Sequence, residues 1–250
     1  MMSRQHCNPE AIAFARPGAS VPGLLVSVRN ADEARAAALG GADVIDVKEP
    51  AAGPLGAATL SDIGRIVDAV ARSQTVTVAA GELVDDFPLE QLPTGVAIAK
   101  LGLAKTSGTA WRSDSLRAVS RLPRKAAAAL VAYADWRAAG SPLPEEVLSH
   151  AASMGCRGFV VDTWSKVGSC SLDLLDVTRL KALIDDAHSL GLLIVLAGSI
   201  TLERVEEAAS YGPTFVGVRG AACVGGRLGD VDTDCVRSLA QQLGACRHEH

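Results

Sequence analysis

Short runs of apolar, β-branched residues recur along the chain and alternate with alanine-rich segments that have a helical period. The apolar runs predict parallel strands, because a strand covered on both faces is apolar throughout. The predicted strands are Leu24–Val28, Val44–Lys48, Thr75–Ala80, Val96–Leu101, Ala126–Tyr133, Gly158–Asp162, Leu192–Ala197 and Phe215–Val218. The predicted helices are Ala31–Leu39, Ser61–Arg72, Ser113–Arg121, Pro144–Met154, Leu174–Leu190, Leu202–Ser210 and Asp232–Leu243.

This alternation has the order and length of a TIM barrel, so we predict an α/β protein with a single-domain (β/α)8 barrel and a short N-terminal extension. A doubly wound open sheet is the alternative. That fold usually has a G-x-G-x-x-G sequence after its first strand, whereas S-V-R-N occupies this position here. We expect residues 1–22 to form the extension, 23–246 the catalytic barrel and 247–250 a C-terminal tail.

Composition narrows the class of protein. Apolar residues make up 48% of the 250 residues, which is enough for a large core, and the net charge of −4 argues against nucleic acid as a partner. No apolar stretch is long enough to span a membrane, and the N-terminus lacks the apolar region of a secretory signal. The six cysteines form no C-x-x-C pair, so we expect reduced thiols in a cytoplasmic protein with no membrane partner.

Three lysines stand at or just beyond the ends of predicted strands, where TIM barrels carry their active sites. Lys48 ends the second strand, Lys100 lies near the end of the fourth, and Lys166 follows the sixth. Asp46 and Asp162 lie on the second and sixth strands. A buried lysine with a lowered pKa can form a Schiff base with a carbonyl compound, so we predict amine-based catalysis. The alternative is a set of structural ion pairs that line the barrel.

The loops after the seventh and eighth strands are rich in small residues, as L-A-G-S-I and G-V-R-G-A-A-C show. Phosphate sites in TIM barrels often use backbone N–H groups of these two loops. The alternative is that the glycines only make tight turns. No metal-binding spacing occurs, so we expect no metal site. The residues predicted to contact substrate or phosphate are Ser27, Gly198, Ser199, Arg219, Gly220 and Ala221.

Several motifs, read together, resemble one family. They are L-L-V-S-V at 24–28, G-G-A-D-V-I-D-V-K-E-P at 40–50, G-P-L-G-A at 53–57, D-T at 162–163, D-D-A-H-S-L-G-L at 185–192, and the two loop sequences at 196–200 and 217–223. Over residues 24–240 the chain resembles the (5-formylfuran-3-yl)methyl phosphate synthases of methanofuran biosynthesis.

The resemblance implies a TIM-barrel lyase related to class I aldolases. Such an enzyme condenses two molecules of glyceraldehyde 3-phosphate into a phosphorylated furan aldehyde, with loss of phosphate and water and without a cofactor. The resemblance further implies that Lys48 forms the Schiff base and Lys100 accepts the proton. It assigns the remaining acid and base positions to Asp46, Asp162 and Lys166.

Two other functions stay open. One is a class I aldolase-like enzyme that acts on another sugar phosphate, and the other is a non-catalytic barrel that binds phosphorylated metabolites. A composition rich in alanine and arginine is typical of bacteria, so we expect one-carbon metabolism in a methylotroph with a methanofuran-like cofactor. We also expect a homo-oligomer, because an alanine-rich helical exterior permits packing between barrels.

Overall fold

The computed structural model describes residues 21–70, 73–166 and 168–245. In these residues eight parallel strands form a closed barrel, in which β1 pairs with both β2 and β8. This closure confirms the TIM barrel and excludes the open sheet. The strands are β1 (Gly23–Val28), β2 (Val44–Val47), β3 (Thr75–Glu82), β4 (Val96–Gly102), β5 (Ala127–Tyr133), β6 (Gly158–Asp162), β7 (Leu193–Leu196) and β8 (Phe215–Val218).

Helices pack around the outside of the barrel. After β3 the helix is replaced by two short 3-10 turns, Leu83–Asp85 and Leu89–Gln91. A small antiparallel hairpin follows β8 and consists of β9 (Cys223–Val224) and β10 (Asp230–Val231). The helices are α1 (Ala31–Gly40), α2 (Leu60–Val70), α3 (Trp111–Ser120), α4 (Trp136–Ala139), α5 (Pro144–Ser153), α6 (Ser171–Leu174), α7 (Val177–Ser189), α8 (Val205–Ser210) and α9 (Thr233–Ala245).

The predicted helix Leu174–Leu190 is wrong at its start. Leu175 has an extended backbone, and Asp176 caps α7 by accepting a hydrogen bond from the backbone N–H of Arg179. An aspartate in this position satisfies an N–H group that has no partner inside the helix, so the chain breaks here despite a continuous apolar period. Helix α4 and the β9–β10 hairpin were not predicted.

Alternation along the strands separates two apolar regions. Ile45 and Val47 point outwards and pack against the helices, while Val44 points into the barrel. Asp46 and Lys48 share the inward face with Val44, because residues two apart on a strand point the same way. The interior is therefore apolar at the level of Val44 and Phe215 and becomes polar towards the carboxyl ends of the strands.

The outer boundaries of the barrel stay predictions. Of the predicted extension, the structure describes only Val21 and Pro22, both of which are buried, and the predicted tail 247–250 lies outside the described residues. The predicted end of the second helix at Arg72 lies outside them too. Among the helices of the described ranges, none has the length and apolar character needed to cross a membrane.

Candidate active site

A cavity of about 420 Å³ opens at the carboxyl ends of the strands. Its walls come from β1, β2, β4 and β6 and from the loops that follow β7 and β8. All five predicted catalytic residues line it, so side chains from three strands meet in one place. The lining also includes all six residues predicted to contact substrate, Ser27, Gly198, Ser199, Arg219, Gly220 and Ala221.

The first ion pair of the cavity joins Lys100 to Asp46. The Lys100 Nζ lies 2.6 Å from Asp46 Oδ2, and both side chains are almost completely buried. Asp46 also accepts hydrogen bonds from Ser27 Oγ at 2.9 Å and from Thr77 Oγ1 at 2.8 Å. These two hydroxyl groups come from the strands on either side of β2, so the barrel itself fixes the orientation of the carboxylate.

The second ion pair joins Lys166 to Asp162. The Lys166 Nζ donates to Asp162 Oδ1 at 2.5 Å and to Thr163 Oγ1 at 3.1 Å, and the Thr163 N–H also donates to Oδ1. Burial opposes ionisation of Asp162, but the positive charges of Lys166 and Lys48, with the hydrogen bonds, outweigh it and lower the pKa to about 2. Asp162 is therefore a carboxylate throughout the physiological range.

Lys48 differs from the other two lysines of the cavity. It is buried, and among the residues that the structure describes it forms neither an ion pair nor a hydrogen bond through Nζ. Burial lowers the pKa of Lys48 from 10.5 to about 7, with help from the charges of Lys166 and Lys100 and against those of Asp162 and Asp46. A large part of the Lys48 amine is therefore neutral and nucleophilic near neutral pH.

Arg219 lines the cavity, but protein acceptors occupy its guanidinium. It forms a buried ion pair with Glu33 of α1 and donates to the carbonyl groups of Ser27, Arg227 and Gly229. These five hydrogen bonds use all five N–H donors of an arginine. The prediction that Arg219 contacts phosphate therefore needs correction, since its side chain has no donor left and instead braces the loop after β8.

The loop after β7 has a backbone shape suited to an anion. Gly198 and Ser199 both have positive φ angles, 102° and 56°. A Cβ atom at Gly198 would lie 2.9 Å from Thr163 Cγ2 and 3.0 Å from Ser171 Cβ, so only glycine fits there. Among the described residues, the N–H groups of Gly198 and Ser199 have no hydrogen-bond acceptor. Both residues line the cavity, as do Gly220 and Ala221 of the 3-10 turn 220–222.

Two residues that contribute to the site were not predicted from the sequence. Thr77 looked like an ordinary strand residue, and its contact with Asp46 depends on the register between β2 and β3. Arg227 lies in the turn between β9 and β10, and its terminal nitrogens donate to the carbonyl groups of Pro50 and Gly53 at 2.8 Å each. The sequence feature that could have indicated Arg227 is its position within G-G-R-L-G, shortly after the candidate phosphate loop at 217–223.

A sequence profile of the 4-HFC-P synthase family matches residues 24–240. The chain belongs to this family. The (5-formylfuran-3-yl)methyl phosphate synthase of Methanopyrus kandleri is 36% identical over 234 residues, which cover 89% of this chain and 99% of that protein. The synthase of the same name from Methanothermobacter thermautotrophicus is 33% identical over 231 residues, which cover 88% of this chain and 98% of the relative.

Solved structures support the fold alone. TrpF from Jonesia denitrificans superposes with a TM-score of 0.60 and 15% identity, and covers 92% of this chain and 100% of its own. Thiamine phosphate pyrophosphorylase from Pyrococcus furiosus has a TM-score of 0.59 and 11% identity, and covers 91% of this chain and 97% of its own. At such low identity the shared barrel carries no information about the reaction.

Proposed function

We propose that the protein condenses two molecules of glyceraldehyde 3-phosphate into (5-formylfuran-3-yl)methyl phosphate through a Schiff base on Lys48. The observation that carries the proposal is the buried Lys48 amine, which has no ion pair among the described residues and lies among two lysine–aspartate pairs. Membership in the 4-HFC-P synthase family supports the choice of product, because the relatives are named for it.

In the first step the neutral amine of Lys48 attacks the aldehyde carbon of one triose phosphate. Water leaves, and a protonated imine forms on Nζ. The positive imine nitrogen makes the proton on the neighbouring carbon acidic. A lysine whose pKa lies near 7 suits this chemistry, because it supplies free amine for the attack and is still readily protonated.

Proton transfer falls to the two ion pairs. We assign to Lys100 the proton that leaves with the water when the imine forms, and the resulting neutral Lys100 amine then removes the acidic proton, with Asp46 holding the Lys100 nitrogen in position at 2.6 Å. The enamine then attacks the aldehyde carbon of the second triose phosphate. Lys166 and Asp162, on the β6 side of the cavity, provide a second acid and base for the elimination steps. Ring closure onto the imine carbon releases Lys48, and loss of one phosphate and two waters yields the furan.

Phosphate recognition is proposed for the loops after β7 and β8. The N–H groups of Gly198 and Ser199, with those of Gly220 and Ala221 at the start of the 3-10 turn, are small-residue donors at the cavity wall. Ser27 contributes indirectly, since its hydroxyl holds Asp46. The furan product would serve the biosynthesis of a methanofuran-type cofactor of one-carbon metabolism.

The experiment is incubation of the purified protein with glyceraldehyde 3-phosphate, followed by mass spectrometry of the products and an assay of free phosphate. The proposal predicts a phosphorylated furan aldehyde and one free phosphate per product. Both should vanish in Lys48→Ala and Lys100→Ala and persist in Lys105→Ala, which changes an exposed loop lysine. A six-carbon sugar bisphosphate without free phosphate would instead indicate an aldolase, and an unchanged substrate would indicate a binding protein.

A further inference from the structure

Most cations around the cavity have a carboxylate partner, but Arg227 does not. Among the described residues it forms no ion pair, and its terminal nitrogens donate only to the neutral carbonyl groups of Pro50 and Gly53. Glu203 also lines the cavity, but it is exposed and bonds to Thr201. The paired cations are Lys100 with Asp46, Lys166 with Asp162 and Arg219 with Glu33.

The half-buried guanidinium of Arg227 is therefore in contact with no described carboxylate, although Asp162 and Glu49 attract it from a greater distance. Loss of solvent lowers the pKa of the guanidinium against these attractions, yet an arginine stays protonated in a protein. With Lys48 partly neutral near pH 7, Arg227 is the permanent cation of the cavity wall that forms no ion pair with a described carboxylate. A phosphate dianion would supply the missing charge and match the planar N–H fork of the guanidinium.

The turn that carries Arg227 is held by other arginines. Arg219 donates to the carbonyl groups of Arg227 and Gly229, and Arg29 also donates to that of Gly229. Both arginines pair with Glu33, so one carboxylate of α1 anchors the whole turn. This network fixes the backbone of Arg227 while its side chain extends to the loop after Lys48. Arg219 is thus a positioning residue for Arg227.

We propose that Arg227 binds the phosphate group of one of the two substrate molecules, at a position separate from the backbone amides of the β7 and β8 loops. This inference rests on the proposed function, because that reaction uses two phosphorylated substrate molecules. The guanidinium donates to the carbonyl groups of Pro50 and Gly53, in the loop that follows Lys48, and lines the same cavity as Lys48. One anion site at the loops and one at Arg227 would hold two triose phosphates side by side.

The test is a calorimetric titration of the full chain with inorganic phosphate, which reads the anion sites without requiring furan synthesis. Wild-type protein should bind two phosphates per chain, and Arg227→Met should bind one or bind the second about ten- to a hundredfold more weakly. Arg227→Gln keeps an amide donor for the loop carbonyls and should show the same loss. The matched control is Arg35→Met, which removes an exposed arginine of α1.

Unchanged phosphate binding in folded Arg227→Met or Arg227→Gln would overturn the inference and leave Arg227 as a structural tie between two loops. A second measurement separates it from the proposed function. If furan synthesis occurs, the KM for glyceraldehyde 3-phosphate should rise about tenfold or more in both variants. If no furan forms but the variants bind one phosphate fewer than wild type, the result supports the Arg227 site and contradicts the proposed reaction.

Discussion

Replacing Lys48 with methionine should stabilise the protein at neutral pH. The amine is buried without an ion pair among the described residues, and burial lowers its pKa from 10.5 to about 7. In the unfolded chain the same amine is hydrated and keeps its ordinary pKa. Folding therefore requires Lys48 to give up a proton over a wide pH range, and that requirement costs stability. Methionine has a similar length and carries no charge to desolvate.

The sign and size of this effect on the free energy of unfolding follow from the linkage between proton binding and folding. Between pH 7 and 10.5 the unfolded state binds more protons at Lys48 than the folded state, so the free energy of unfolding rises with pH. With the two pKa values above, the penalty is about 4 kcal/mol at pH 7 and about 1 kcal/mol at pH 10. The advantage of Lys48→Met should therefore shrink by about 3 kcal/mol between these pH values.

Urea unfolding of wild type and Lys48→Met at several pH values between 7 and 10 measures this difference directly. Packing changes caused by methionine add an offset that does not depend on pH, so the slope isolates the lysine. Lys105→Met, at an exposed position, should show no such slope. A constant difference between wild type and Lys48→Met across this range would refute a lowered pKa at Lys48.

Other substitutions test the charges around Lys48. Lys166→Met removes a like charge and raises the pKa of Lys48, so borohydride should trap glyceraldehyde on Lys48 only at a higher pH. Asp162→Asn removes an opposite charge and should shift trapping to a lower pH. Shifts in the same direction for the two variants would contradict these charge effects on Lys48. Asp46→Asn leaves the buried Lys100 ammonium without its carboxylate and should lower the free energy of unfolding by about 3 kcal/mol or more. A loss below about 1 kcal/mol would contradict a stabilising Lys100–Asp46 ion pair.

The barrel and the grouping of the lysines follow from local sequence patterns. Apolar runs predicted all eight strands, and the two-residue period of β2 put Asp46 and Lys48 on one face. The partner of Asp46 could not be read in the same way. Its contact with Lys100 depends on the register and tilt of β2, β3 and β4, which no single strand sequence contains.

Arginine roles were the least predictable part of the site. Arg219 follows β8 in a loop whose sequence resembles a phosphate-binding loop. Its guanidinium instead forms an ion pair with Glu33, which lies 186 residues earlier in the chain. Arg227 was not among the predicted site residues, and only folding brings it to the carbonyl groups of Pro50 and Gly53. Both outcomes depend on long-range contacts that sequence spacing does not encode. The expected homo-oligomer depends on surfaces between chains and stays a prediction.

Reductive trapping on the intact protein shows which lysine forms the Schiff base. The protein is mixed with glyceraldehyde 3-phosphate and borohydride, digested, and the modified lysine is located by mass spectrometry. We expect a triose phosphate adduct on Lys48 and none on the peptides of Lys100 and Lys166, whose amines are held in ion pairs. An adduct on Lys100 or Lys166, or furan synthesis with no adduct on Lys48, would contradict this assignment.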